Sequence, residues 1–373
     1  MASSDKSMRI LGAVLWTIGM LVGGSLLFLV LLLPPLLGRN GGDAFLNMAL
    51  AAGIAFPACF FYLWVPVILD RYDPEPWWLL FMAFLWGAVP ACGFSGLINT
   101  INGEIGQAIG GKEGGEILGA VVSAPLVEEA FKGMLVLGML WFMRREFDGV
   151  VDGVIYAIFV ALGFAATENV LYYARSLEKG GDAGLMVTVG IRGILAPWGH
   201  PLYTAMTGIG VGMARETTKG WVKIGAPIGG YFTAVALHAA WNGSAVLSDM
   251  LKFPLFFLAL PLWFLFLAVF GVIVILLVRR EGQIIRKHLR DEVLIGNLSE
   301  AELELVCSPI GRIRALFLKG LAGRRFVDAA SRLGLSKWHA ARAMQGKKMT
   351  ISADFIVPLR RELAQLRAQF QNR

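Results

Sequence analysis

The chain has 373 residues, 56% of them hydrophobic and only 16% charged, with a mean hydropathy of +0.64 and a formal net charge of +7. A soluble domain averages about 25% charged residues, so this balance excludes a wholly soluble globular protein. The three cysteines (Cys59, Cys92, Cys307) are odd in number and lack a CxxC spacing, so they suggest neither a disulfide framework nor a thiolate zinc site.

The N-terminus has a weakly basic start, Lys6 and Arg9, followed by a long apolar run. That run exceeds the core of a signal peptide, about 7–15 residues, and is expected to be a retained first span. A membrane helix needs about 20 apolar residues. Candidate spans fall at 9–34, 44–69, 77–99, 117–143, 149–174, 184–214, 224–247 and 254–278. Pro90 and several glycines interrupt the third. The sixth is too long for one straight span and contains Arg192 followed by Pro197, so its first residues are expected at the interface and the span itself to begin near Gly193.

Eight spans put both termini on one side. With the N-terminus inside, the inner loops carry Lys6, Arg9, Arg71, Arg144, Arg145, Arg215, Lys219 and Lys223, against Arg39, Lys112, Arg175, Lys179 and Lys252 outside. Residues 279–373 add 19 Lys and Arg against 9 Asp and Glu, whereas the preceding residues hold 15 against 18. The positive-inside rule then predicts cytoplasmic N- and C-termini. Gly208, Gly210 and Gly212 on one helix, and Gly149 and Gly153 four apart, are expected to serve close helix packing.

The tail reads as helical. Ser299 and Glu302 form a capping box, and Leu303, Val306 and Ile310 follow at helical spacing. Residues 326–343 and 355–370 read as further amphipathic helices. A helix-turn-helix can be drawn around Gly334, but no base-reading pattern accompanies it. The basic charge is read first as attraction to anionic lipid and only second as affinity for nucleic acid. The expected fold is an all-α polytopic membrane helix bundle of about eight spans (1–278) followed by a basic cytosolic helical tail (279–373).

Ionisable groups at membrane depth are costly, about 2.5–3.5 kcal/mol for Asp, Lys or Arg at a helix centre, and persist mostly where they pair or do chemistry. Four places carry polar groups. In the fourth span, Glu128 and Lys132 are four apart and can pair, while the adjacent Glu129 points about 100° away. One glutamate is then structural and the other free for chemistry. The fifth span carries Glu168 and Asn169, the sixth His200 with Thr204, and the seventh His238 with Asn242. At about 1.5 Å per residue, all four groups lie at a similar depth, roughly 9–16 Å from the outer ends of their helices. Two histidines and a carboxylate are a common catalytic zinc set, and a further glutamate can act as base on the bound water. No HExxH occurs, so this is not an ordinary zincin, and no GxSxG supports a serine mechanism. A non-proteolytic membrane scaffold or immunity-type protein, in which the same residues only hold helices together, and a proton-linked transporter are the competing readings; the latter would need internal repeats and charges spread along a path.

These motifs resemble the PrsW family of bacterial intramembrane proteases, within the superfamily of CAAX prenyl endopeptidases. The resemblance covers about residues 60–245. Glu128, Glu129 and Lys132 match EExxK, Phe164 and Glu168 match Phe-xxx-Glu, His200 matches the histidine near a helix bend, and His238 and Asn242 match His-xxx-Asn. Residues 70–77 and the Asp148-Gly149 and Asp152-Gly153 pairs are also similar to the family. The resemblance implies cleavage of a single-span membrane protein, in one member an anti-sigma factor cut near the outer face. It implies that Glu128 or Glu129, with Glu128 favoured, is the base and that Lys132 neutralises charge. Glu168, His200 and His238 would hold a metal, expected to be zinc, or position water, and Asn242 would be the oxyanion or orienting donor. No organic cofactor is expected.

Overall fold

The computed structural model describes residues 2–38, 40–253, 255–345 and 352–371, and every regular element among them is helical. The principal helices are α1 (Ala2–Leu26), α2 (Gly41–Tyr62), α3 (Trp77–Trp86), α4 (Cys92–Glu116), α5 (Ala124–Phe142), α6 (Val150–Thr188), α7 (Gly199–Glu216), α8 (Gly220–Leu251), α9 (Leu255–Leu294), α10 (Glu300–Cys307), α11 (Gly311–Gln345) and α12 (Ser352–Gln371). Short π-helical turns separate several of them.

Among the described residues, five helical stretches are long and apolar enough to cross a bilayer: Lys6–Leu37, Gly41–Leu69, Trp77–Phe142, Val150–Glu216 and Phe257–Leu294. The third and fourth have 66 and 67 residues, about 100 Å if straight, or three hydrocarbon cores. They reverse instead. Gly111 adopts φ +63 and ψ −156, and Gly181 φ +58 and ψ −155, a region closed to residues with a Cβ. Beyond each glycine the chain returns along itself, so that Asn102 meets Ser123 at 2.8 Å and Asn169 meets Arg192 at 2.8 Å. Five stretches by length and composition do not by themselves confirm the expected count of eight. The five stretches resolve into seven arms, and α8, which carries His238, falls outside the five.

The chain forms two compact units. The first comprises Met1–Pro66, Pro76–Arg215 and Trp221–Phe270. Its centre is α6, where every residue from Val154 to Thr167 is buried. That helix can sit at the centre because small residues let backbones cross closely: a Cβ added to Gly153 would lie 2.2 Å from the Gly208 carbonyl. Pro90, which cannot donate a backbone hydrogen bond, lies in the π turn Gly87–Ala91, and the Thr167 hydroxyl donates to the Ala88 carbonyl of that turn at 2.8 Å.

The second unit comprises Val67–Glu75, Glu216–Gly220 and Gly271–Arg373. Its last segment begins within α9. The two polar loops belong to it through side chains: Arg332 binds Asp73 at 2.8 Å, Arg280 binds Glu216 at 2.6 Å, and the Tyr72 hydroxyl donates to the Cys307 carbonyl at 3.2 Å. The capping box is formed, with Ser299 Oγ accepting from Glu302 N at 3.2 Å and Glu302 Oε2 from Ser299 N at 2.6 Å. Ile310 lies beyond the end of α10 and is exposed. No turn occurs at Gly334, where an added Cβ would lie 3.2 Å from Ile285 and 3.3 Å from Leu289; the reversal in α11 is at Gly320.

Candidate active site

The first unit brings the intramembrane polar residues together. On α5, Glu128, Glu129 and Lys132 are all buried. Lys132 Nζ lies 2.6 Å from Glu129 Oε1 but 3.9 Å from Glu128 Oε2. The structural partner of Lys132 is thus Glu129, one residue from the expected pairing. Both the i,i+3 and i,i+4 positions reach a lysine on a helix. The choice falls to Glu129 because its other neighbours anchor it: Thr204 Oγ1 donates to Oε2 at 2.8 Å and His238 Nδ1 meets Oε1 at 3.1 Å.

Lys132 also contacts His200 Nδ1 at 3.0 Å and sits 4.3 Å from the centroid of the Phe164 ring, which gives that motif phenylalanine a cation–π contact. The far side of His200 is held by Glu168, with Nε2 2.9 Å from Oε2. Glu168 in turn is paired with Arg192, which also donates to Asn169 Oδ1 at 2.8 Å and stacks on Tyr172. Arg192 lies in the π turn Val189–Leu195, and α7 begins only at Gly199, six residues beyond the expected start, after a break at Ala196. That break places His200 in the first turn of its helix. The two histidine rings stand 5.1 Å apart and nearly perpendicular, and Tyr203 stacks on His238 at 5.0 Å.

Glu128 is different. Its Oε1 accepts from Asn99 Nδ2 at 3.2 Å, while its buried Oε2 has no hydrogen-bond partner. Asn99 is oriented in turn: Ser123 Oγ donates to its Oδ1 and accepts from Asn102, both at 2.8 Å. Asn99, Asn102, Ser123 and Arg192 were not among the expected site residues. Their sequence signal was present, as two asparagines three apart beside an apolar run and an arginine inside another.

Donor atoms of Glu128, His200 and His238 all lie within 4.8 Å of one another. Ligands on a tetrahedral ion with bonds of about 2.0–2.1 Å stand about 3.4 Å apart, so a modest contraction would close the group on one ion. Two imidazoles, a carboxylate and an unpartnered carboxylate oxygen among them suit a divalent metal. The trio differs from the expected one, since Glu128 takes the place of Glu168, whose Oε2 already serves Arg192 and His200.

Asn242 Nδ2 donates to the Ala120 carbonyl at 2.9 Å. In the π turn Ile117–Ser123, the Ala124 N–H serves the Gly119 carbonyl, and the next in register, Pro125, has no N–H to give Ala120. Asn242 fills that vacancy and ties α8 to the start of α5.

A multi-pass helical membrane protein with a buried acid, base and imidazole cluster is of the intramembrane hydrolase class. The family model for the PrsW family intramembrane metalloprotease matches residues 75–277. Protease PrsW of Geobacillus kaustophilus is 28% identical over 174 residues, covering 47% of this chain and 68% of the relative. The Oceanobacillus iheyensis protein of the same name is 28% identical over 175 residues, 46% of this chain and 71% of the relative. That of Bacillus subtilis is 30% identical over 129 residues, 35% of this chain and 53% of the relative. No solved structure matches the chain. The chain belongs to the PrsW family and is an intramembrane protease acting on membrane protein within the bilayer.

Proposed function

We propose that this protease hydrolyses a peptide bond of a single-span membrane protein with a water activated by Glu128, at a site that takes zinc. The observation that carries this reading is the buried, unpartnered Oε2 of Glu128 beside two histidines. Around it, both oxygens of Glu129 and Oε2 of Glu168 are tied to a cation, a hydroxyl or an imidazole. A carboxylate kept in place through Asn99 yet open at one oxygen suits proton transfer. Glu128 Oε2 takes the proton of the attacking water and delivers it to the departing amide nitrogen.

Glu128, His200 and His238 would hold the metal. When bound, zinc supplies an acidified water and a polarised carbonyl. A carboxylate has two oxygens, so a ligand role for Glu128 through one would leave the other able to accept a proton. Glu129 orients the His238 ring through Nδ1, and Glu168, steadied by Arg192, orients His200. Lys132 contacts both Glu129 and His200. Asn242 acts by holding α8 against α5.

A second reading, Glu128 activation without metal, is favoured by one observation: both ring nitrogens of His200 already have partners. Metal analysis of the purified protein separates the two. Stoichiometric zinc, lost in His200→Ala, with cleavage abolished by chelation and restored by zinc, supports the first. Full cleavage by metal-free protein overturns the metal and leaves Glu128. Normal cleavage of a reconstituted single-span substrate by Glu128→Gln overturns the site.

The substrate class proposed is an anti-sigma factor in stress signalling, as in the family resemblance. The setting proposed is a bacterial cell membrane with both termini cytoplasmic, the tail with its 19 Lys and Arg against 9 Asp and Glu lying against anionic lipid.

A further inference from the structure

Within the second unit, the two arms of α11 meet at Gly320, whose φ of +62 permits the reversal. The hairpin is well fastened at its base. Arg312 Nε binds Asp328 Oδ1 at 2.6 Å, and Phe326, Val327 and Ala330 are almost fully buried. Its tip is the opposite. Phe317 is 85% exposed, Leu318 67% and Leu321 69%, with Ile310 and Ile313 also exposed behind them. Exposed Arg314, Lys319, Arg324 and Arg325 flank these apolar side chains.

Scattered exposed apolar residues need no explanation, but a contiguous apolar tip on a charged helical unit does. Four cations around large apolar side chains are complementary to an anionic bilayer surface, where apolar groups enter the acyl boundary and long basic side chains reach the headgroups. Nucleic acid would use the cations and leave Phe317, Leu318 and Leu321 in water. The membrane is also the surface to which this chain is already anchored. We propose that the Gly320 hairpin tip is a membrane-inserting wedge for anionic lipid. The proposal deepens the reading of the basic tail as lipid-attracted and rests on it, but it names an insertion that diffuse charge attraction does not require.

The test uses the full chain in lipid nanodiscs, with Cys307→Ser to remove the half-buried thiol and Leu318→Cys carrying an environment-sensitive fluorophore. Met344→Cys, 71% exposed at the far end of α11, is the reference position. Brominated acyl chains should quench the probe at 318, about twofold more with anionic than with zwitterionic lipid, and not the probe at 344. Combined Arg314→Glu, Arg324→Glu and Arg325→Glu should abolish the quenching. Absence of quenching at 318 in both lipids overturns the wedge. If energy transfer from position 344 to labelled anionic headgroups still responds to salt, the charged-tail reading survives that failure; if it does not, both fall. Burial of 318 only on adding nucleic acid, or only with 318–318 cross-linking between copies, also overturns the proposal. None of these readouts depends on proteolysis.

Discussion

Glu128 and Glu292 are both buried carboxylates on helices, 5% and 0% exposed, and they illustrate opposite uses of the same group. Glu292, in the second unit, accepts from Lys337 at 2.6 Å, from Arg360 Nη2 at 2.6 Å and from Asn297 at 2.7 Å. Both its oxygens are used, and α9, α11 and α12 are clamped around it. Glu128, in the first unit, has one oxygen held by a neutral amide and the other unpartnered, with Lys132 and His238 each 3.9 Å away. Removing a carboxylate from water is costly unless bonds replace the lost hydration. Where those bonds are complete the group serves the fold; where one is missing the fold maintains an unsatisfied group, as the proposed base role of Glu128 requires.

That contrast is broken most directly by Glu128→Gln. The amide can keep its contact with Asn99, so unfolding should be unchanged while cleavage of a reconstituted substrate falls by about 10²–10⁴. A rate near that of the parent protein would place Glu128 beside Glu292 as a structural group. Glu292→Ala should do the reverse, destabilising the second unit by about 3 kcal/mol, the low end for a broken buried ion pair because Arg360 is 37% exposed and can turn to water. Hydrogen exchange across residues 280–371 would show it, and unaltered protection would mean that the clamp is idle.

Arg192→Lys sharpens the comparison within the site. Lysine keeps the charge but cannot serve Glu168 and Asn169 together, so His200 loses a support and turnover should drop about tenfold with substrate affinity unchanged. An effect on KM alone would assign Arg192 to substrate contact instead. The smallest effect is expected at Asp70, in the second unit. Its buried carboxyl, whose Oδ2 accepts from Glu75 N at 2.7 Å, is pushed up to about 8 by burial, with Asp73 and Asp328 adding to the rise against Glu75 N–H and Arg312. From the ordinary 3.8 up to about 8 the unfolded chain is ionised while the folded one keeps its proton, so stability falls as pH rises through that window. Asp70→Asn should match the parent protein at the acid end of the window and melt higher at the alkaline end. Parallel melting curves at both ends would refute the raised value.

Much of the site was legible before folding was considered, because a membrane helix advertises every polar residue it carries. Glu128, Glu129, Lys132, Glu168, His200 and His238 all converge in the first unit. Pairing was less legible. An i,i+3 and an i,i+4 partner are equally within reach of Lys132, and only Thr204 and His238 on other helices favour Glu129. Asn242 was expected as an orienting donor, and its bond to the Ala120 carbonyl left open by Pro125 is a register effect visible only once the turn before α5 is known to be π-helical. The reversals at Gly111 and Gly181 fall between expected spans, where Lys112 and Glu113, and Glu178 and Lys179, mark polar connections; what composition did not show is that helix continues up to each glycine.

What the sequence by itself determined is the class of solvent the chain lives in and the cast of its site, since hydropathy and costly intramembrane charges are properties of residues. Which glutamate remains open was decided by tertiary structure alone. Hydrogen bonds are directional and exclusive, and the partners that close Glu129 and Glu168 arrive on helices distant in sequence. Glu128 is left unsatisfied by what surrounds it.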